Sequence, residues 1–141
     1  MQTVYLDNSA TTRCSDAAAE IMHRVLTEDF GNPSSLHTMG SDAENYIRQA
    51  RTTIAKSLRC AEKEIVFTSG GTESNNLAIF GAAETKKRRG RHIITTPFEH
   101  PSADNPIKKL EENGYEVTRL SVDKTGQIDL LEFENEVRSD T

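Results

Sequence analysis

Two places in this chain carry residue types that could do chemistry together. The first lies in Glu64-Ile-Val-Phe-Thr-Ser-Gly-Gly-Thr-Glu-Ser-Asn-Asn-Leu-Ala-Ile-Phe-Gly81, where the apolar run Ile65-Val-Phe67 stops at Gly70 and Gly71 and Thr72 caps a helix carried by Leu77, Ile79, Phe80 and Ala83. A helix start leaves amide N–H groups without acceptors, and the helix dipole adds positive potential there, so the turn reads as a phosphate cradle. No Gly-Lys-Ser/Thr follows, and the spaced glycines of a dinucleotide fingerprint are absent. A Gly-Gly turn can also do no more than join a buried strand to its helix. The second place is His100 in Phe98-Glu-His-Pro-Ser102. An imidazole beside a bound phosphate suits a phosphorylated aromatic cofactor, on whose ring His100 could stack or with which it could exchange protons. Taken alone, His100 fits a surface or capping histidine better, and Glu99 reads as solvated or held by a local charge. Asp7 and His37 read as loop residues.

The elements that must bring these groups together follow from periodicity. Tyr5-Leu-Asp-Asn-Ser-Ala-Thr-Thr12 is an extended opening, after which a helix begins near Ser15 or Asp16 with Ala17, Ile21, Met22, Val25 and Leu26 on one face. Phe30-Gly-Asn-Pro-Ser-Ser-Leu-His37 is a loop, and Ser41-Asp-Ala-Glu44 has capping-box spacing before a long helix faced by Ala43, Ile47, Ala50, Ile54 and Leu58. Ile65, Val66 and Phe67 predict a strand buried on both faces. His92-Ile-Ile-Thr-Thr96 predicts a second, and then come a helix with Ile107 and Leu110, a stop at Asn113-Gly114 and a strand around Tyr115 to Val122. Asp129-Leu-Leu-Glu132 opens a last helix through Phe133 and Val137. Alternating strands and helices argue for a parallel α/β sheet with right-handed crossovers. Ligands of such sheets bind beyond the carboxyl ends of the strands, which puts Thr72 and His100 on one rim. The sheet looks unfinished, because the chain stops at Arg138-Ser-Asp-Thr141 where another strand would be due.

A chain of 141 residues with 35% apolar and 28% charged residues is a soluble domain by composition. No run is long enough to span a membrane, and Met1-Gln-Thr-Val-Tyr-Leu-Asp lacks the basic start and apolar core of a signal peptide, so a cytoplasmic location is the expectation. Cys14 and Cys60 have no metal-ligand spacing and make no disulfide framework. A net charge of −5 argues against general nucleic-acid binding, and Lys86-Lys-Arg-Arg-Gly-Arg91 reads as a solvated helix end with Gly90 as its stop.

Taken together, Tyr5-Leu-Asp-Asn-Ser-Ala-Thr-Thr, Phe30-Gly-Asn-Pro-Ser-Ser-Leu-His, Glu64-Ile-Val-Phe-Thr-Ser-Gly-Gly-Thr-Glu-Ser-Asn-Asn-Leu-Ala-Ile and His92-Ile-Ile-Thr-Thr with Glu99-His100 resemble the cysteine desulfurases of the nitrogen-fixation and iron–sulfur-assembly type, pyridoxal-phosphate enzymes of the class V aminotransferase group. The resemblance runs in order along the whole chain. It implies the large α/β domain of a fold type I pyridoxal-phosphate transferase, a mostly parallel sheet with flanking helices, here truncated. Residues 1–141 would be the N-terminal segment and first part of that domain, with its remainder and a small C-terminal domain absent, in an enzyme that forms a homodimer. It implies that Gly71 and Thr72 hold the cofactor phosphate, and that His100 stacks on the pyridine ring and takes part in proton transfer. Ser102-Ala-Asp-Asn105 departs from the apolar helix start usual in the family.

The resemblance also implies what these residues do not include. The lysine that carries the cofactor, the aspartate that pairs with the pyridine nitrogen, the asparagine near the substrate and the persulfide-forming loop cysteine fall beyond residue 141 in the family. Lys56, Lys86, Lys87, Lys108 and Lys109 read as helical, and Lys63 and Lys124 as lying in connections, none at a strand end. Cys60 follows a helix C-terminus, a poor setting for a thiolate, and Cys14 precedes a helix far from where the family places its acceptor. The implied activity is removal of sulfur from L-cysteine, giving L-alanine and an enzyme persulfide for an iron–sulfur scaffold or other acceptor protein. Two alternatives stand beside it: selenocysteine lyase or another class V aminotransferase, and an inactive fragment that only binds a partner or competes in assembly. The chain alone is expected to fold poorly, because its last strands would leave an open apolar edge and face.

Overall fold

A computed structural model describes residues 4–141. The first three residues of the opening read for signal-peptide character lie outside the described residues. Two compact units divide the chain, one ending at Val66 and the other running from Phe67 to Thr141.

In the first unit, α1 spans Asp16–Thr27 and Ser15 caps it, the Ser15 hydroxyl accepting the Ala18 N–H at 3.3 Å. The helix starts where its apolar spacing and cap residue predict, yet its stripe stays open. None of its residues is buried, and Leu26 is 73% exposed. A turn around Asn32, whose side-chain oxygen accepts the Ser34 N–H at 2.9 Å, leads to α2, Thr38–Leu58. This helix begins before the predicted Ser41 capping box. His37 caps it instead, with Nδ1 accepting the Gly40 N–H at 3.4 Å, and Gly40 is needed because a Cβ there would run into the Ser35 carbonyl. Ala43 and Ala55 are buried, whereas Leu58 remains exposed. Tyr46 donates its hydroxyl to Asp29 at 2.5 Å and Arg24 meets the same carboxylate at 3.0 Å, which ties the end of α1 to α2. Past α2, Arg59 sits at φ 55°, the left-handed geometry of a helix C-cap, and Cys60 N–H returns to the Ala55 carbonyl at 3.0 Å. A 3-10 turn, Glu62–Glu64, is fastened to α2 by the Thr52 hydroxyl on Glu62 at 2.8 Å.

The predicted strand at Ile65, Val66 and Phe67 is not one: these residues join no ladder among the described residues, and Val66 is 62% exposed. Apolar β-branched residues favour extended backbone, but a strand exists only when a neighbour pairs with it.

The second unit opens with α3, Gly71–Lys86, followed by β1, His92–Thr95, α4, Pro101–Glu112, β2, Glu116–Arg119, and α5, Leu130–Glu136. β1 and β2 pair in parallel, His92 opposite Glu116 and Thr95 opposite Arg119, with α4 as the crossover packed against α3 and β2. Both strands are shorter than predicted. Ile107, Leu110 and Leu120 form the buried apolar core, each worth roughly 1.5–3 kcal/mol on removal from water. Pro101 occupies the first helical position, where its missing N–H costs nothing, and Pro106 lies buried further along α4. The helix stops at Asn113, with Gly114 at φ 87° as the Asn113-Gly114 pair predicts. Tyr115 then donates its hydroxyl to the Ala83 carbonyl at 2.8 Å while Arg91 lies 5.7 Å over its ring. After β2, Asp123 accepts from Thr125 N–H at 2.7 Å and Gln127 N–H at 3.0 Å, shaping an unpredicted turn closed by the antiparallel bridge of Val122 with Ile128. Asp129 caps α5 as expected, but Glu132 does not complete a capping box, because its carboxylate takes the Ser121 N–H at 3.0 Å. Val137 is the C-cap rather than a helical residue.

The chain's last turn is fastened to the sheet through a buried histidine. His92, 4% exposed, meets the Thr141 hydroxyl with Nδ1 at 2.8 Å and the Thr118 hydroxyl with Nε2 at 2.9 Å, and its N–H reaches the Asp140 carbonyl at 3.2 Å. Gly90 is required by this docking, since a Cβ there would run into Asp140. Gly90 therefore serves a tertiary contact beyond the helix stop expected of it. Arg138 completes the attachment with two bonds to the Glu116 carboxylate, at 2.7 and 2.9 Å.

Two outcomes test these interactions. Arg59→Gly removes a left-handed side-chain penalty of roughly 1–2 kcal/mol, partly offset by the added freedom of the unfolded chain. Thermal denaturation followed by circular dichroism is expected to show a higher midpoint, and an unchanged one contradicts the account. Arg138, chiefly through its hydrogen bonds, holds the Glu116 carboxyl below the usual glutamate range. A depressed folded-state pKa contributes stability present above the unfolded value and lost as the pH falls through the folded value. Docking of residues 138–141 is therefore expected to loosen on acidification below the usual glutamate range. Glu116→Gln should remove that pH dependence, read from the NMR shifts of those residues.

Candidate functional site

The glycine turn and the start of α3 are braced by hydroxyl and carboxylate groups. Glu73 accepts the Ser69 N–H at 2.6 Å and the Ser69 hydroxyl at 2.7 Å, and these bonds hold its carboxyl below the usual range. Thr68 donates its hydroxyl to the Gly70 carbonyl at 3.2 Å, which leaves the 2.6 Å contact between Thr68 and Ser74 to be donated by Ser74. Gly70, rather than Thr72, is the N-cap. Thr72 is the second residue of the helix, exposed, with its carbonyl accepting from Asn76 at 2.8 Å. Ser74 N–H bonds to the Gly70 carbonyl at 3.0 Å, so the amides before it lie in the turn that an α-helix leaves without internal acceptors. A Cβ built at Gly70 or at Gly71 meets nothing within 4 Å. That combination of open space, amides and an exposed hydroxyl fits a phosphate group.

His100 is the N-cap of α4, and the capping reading of this residue is what the geometry shows. Its Nδ1 accepts the Ser102 N–H at 3.1 Å and lies 2.8 Å from the Ser102 hydroxyl. Ser102 is buried, and Asn75 on α3 donates its side-chain amide to the Ser102 oxygen at 2.8 Å. The first turns of α3 and α4 are thereby linked, and Thr72 lies three residues before the link while His100 lies two residues before Ser102. The imidazole stays exposed, with Nε2 directed at no partner among the described residues. Glu99 is held by the Thr96 hydroxyl at 2.7 Å rather than by a charge.

Gly71, Thr72 and His100 thus fall on two adjoining helix starts of one unit. Asn75, Ser102 and Glu73 are the polar residues there that the sequence reading did not assign. A Glu soon after the glycine turn was a capping signal available beforehand, whereas the Asn75–Ser102 bond spans 27 residues and has no sequence signature. A cleft of about 650 Å³ in the second unit, lined by Ile79, Ala83, Ile93, Ile107 and Tyr115 among others, contains neither Thr72 nor His100. It is a mainly apolar gap beside β1, with Lys86, Arg89, His92 and Asp140 also on its wall.

Elsewhere, His37 acts as a helix cap and the Asp7 carbonyl closes a turn with Ala10 N–H at 3.1 Å. Cys14 is exposed, Cys60 is half-buried, and both are free thiols. Lys56, Lys86, Lys108 and Lys109 lie on helices, Lys87 caps α3, and Lys63 lies in the 3-10 turn. Among the described residues, no group of three or more His, Cys, Asp or Glu side chains could hold a metal ion, and no helix is long and apolar enough to cross a membrane.

Residues 4–141 match the family described as aminotransferase class-V. The chain is 49% identical to a protein named cysteine desulfurase 2 from Trichormus variabilis, over all of this chain and 35% of that protein. A solved structure titled NIFS-like protein superimposes with a TM-score of 0.90 at 42% identity, covering 99% of this chain and 38% of that one. Another, described as SspA in complex with cysteine, superimposes with a TM-score of 0.85 at 38% identity, covering 98% of this chain and 40% of that one. The chain spans about a third of the length of the curated relatives it matches. With the family motif running from residue 4 to residue 141 and the same backbone in solved relatives, this chain belongs to the aminotransferase class-V family.

Proposed function

We propose that this chain supplies the phosphate-binding turn and the ring-facing histidine of a cysteine desulfurase that uses pyridoxal phosphate. The observation that carries the reading is the pairing of an open glycine turn at Gly71 and Thr72 with an exposed imidazole at His100 across one hydrogen-bonded helix junction. Relatives named as cysteine desulfurases at 42–49% identity support the activity, and a neighbour described in complex with cysteine supports the substrate. When bound, pyridoxal phosphate supplies an electron sink for the substrate amino acid. In this reading the amides at the start of α3 and the Thr72 hydroxyl bind the phosphate, and His100 orients the ring and holds a proton at Nε2. Sulfur leaves L-cysteine as a persulfide on a cysteine thiolate, and L-alanine is the other product.

The lysine and the thiolate lie on polypeptide beyond these 141 residues, either following this segment or on a separate chain. The segment is the first part of a large cofactor-binding domain, the enzyme is a cytoplasmic homodimer, and its acceptor is an iron–sulfur scaffold or another sulfur-accepting protein. The exposed face of α1 and the apolar cleft beside β1 agree with a domain that has more chain to pack.

Borohydride reduction of natively purified protein with pyridoxal phosphate, followed by mass spectrometry, should place the cofactor on a lysine outside residues 1–141, in material that forms alanine from L-cysteine. An adduct on a lysine of this segment contradicts the reading. In the full-length protein, Thr72→Val removes one charge-assisted hydrogen bond and is expected to weaken pyridoxal-phosphate binding by about 10-fold or more, measured by absorbance titration. Unchanged affinity would remove Thr72 from the phosphate site.

A further inference from the structure

The polar cluster under His100 decides more than where the ring lies. A backbone N–H can only donate, and the Ser102 N–H reaches His100 Nδ1 at 3.1 Å. Nδ1 must therefore present its lone pair. The Ser102 hydroxyl is 2.8 Å from the same nitrogen, and its oxygen already accepts the Asn75 amide at 2.8 Å, so its own proton is free to point at Nδ1. Donation thus runs in one direction, from Asn75 to Ser102 to His100. Ser102 is buried, so its hydroxyl is held within this cluster.

We propose that Asn75 and Ser102 are positioning residues that lock His100 as the tautomer with its single ring proton on Nε2, the nitrogen left without a protein partner. The catalytic meaning rests on the reading above, in which His100 faces the cofactor. The lock itself follows from the hydrogen bonds alone. It gives a role to Ser102, the first residue of the stretch Ser102-Ala-Asp-Asn105 that departs from the apolar helix start of the family this chain resembles. An apolar side chain there would keep the backbone N–H on Nδ1 but lose the hydroxyl, and Asn75 would lose its acceptor across the helix junction.

The test is ¹⁵N NMR of the imidazole, through two-bond proton–nitrogen correlations, in the full-length protein without added cofactor. The wild type should show His100 as the Nε2–H tautomer in large excess. Ser102→Ala removes one donor to Nδ1, and Asn75→Ala frees the Ser102 oxygen to accept from an Nδ1–H. Each is expected to lower the tautomer ratio about fivefold, the effect of one ordinary hydrogen bond. Ser102→Thr, which restores a hydroxyl, should recover the ratio. A wild-type Nδ1–H tautomer overturns the proposal, as does a ratio that neither alanine variant moves even if thermal stability falls. Absorbance titration with pyridoxal phosphate on the same samples separates the two readings: no cofactor binding with the Nε2–H tautomer intact refutes the proposed function and leaves the lock standing.

Discussion

One buried hydroxyl ties the two helix starts of the second unit together. Ser102 joins the first turn of α4 to the first turn of α3, accepting from Asn75 on one side and meeting His100 Nδ1 on the other. Helix starts are where backbone amides lack acceptors, so two of them side by side make a patch of converging donors. The α3 start is left open by the glycines, and the α4 start is closed by His100 as a cap. One leaves backbone amides without helical acceptors, while the other carries an exposed imidazole. The packing of α4 against α3 makes them neighbours, and the Asn75–Ser102 bond joins their first turns.

The rest of the second unit holds that junction with modest means. A two-stranded parallel sheet and the buried Ile107, Leu110 and Leu120 make a small core, and the polar fastenings around His92 and Arg138 carry the last turn onto the sheet. Parallel pairs are normally covered on both faces. Here an apolar cleft stays open beside β1, and α1 keeps its stripe exposed in the first unit. Membership in the aminotransferase class-V family, with relatives about three times as long, is consistent with these faces packing against further chain.

Much of this was legible in the residues. The helix starts at Ser15 and Asp129, the stop at Asn113-Gly114 and the parallel relation of His92-Ile-Ile-Thr to the strand after Tyr115 follow from caps, glycine geometry and apolar period, all local properties of the chain. So does the glycine turn that leaves Gly71 and Thr72 open. Local rules failed where another residue took the expected cap, or where a side chain found a partner further along the chain. His37, not Ser41, caps α2; Gly70, not Thr72, caps α3; and Glu132 turns to Ser121 instead of its own cap.

By itself, then, the sequence determined where an open glycine turn, a helix start and a histidine would stand, because residue type and turn chemistry are written at adjacent positions. Only the tertiary structure decided three things. Ile65 to Phe67 belong to neither strand of the sheet, since membership in a ladder is decided by other segments of chain and not by apolar residue type. Gly90 serves the docking of Asp140, since its missing Cβ matters only when another segment approaches. And His100 is held at Nδ1 by Ser102 and, through it, by Asn75, because a hydrogen bond between two helices is a fact of where those helices pack, not of either one's sequence.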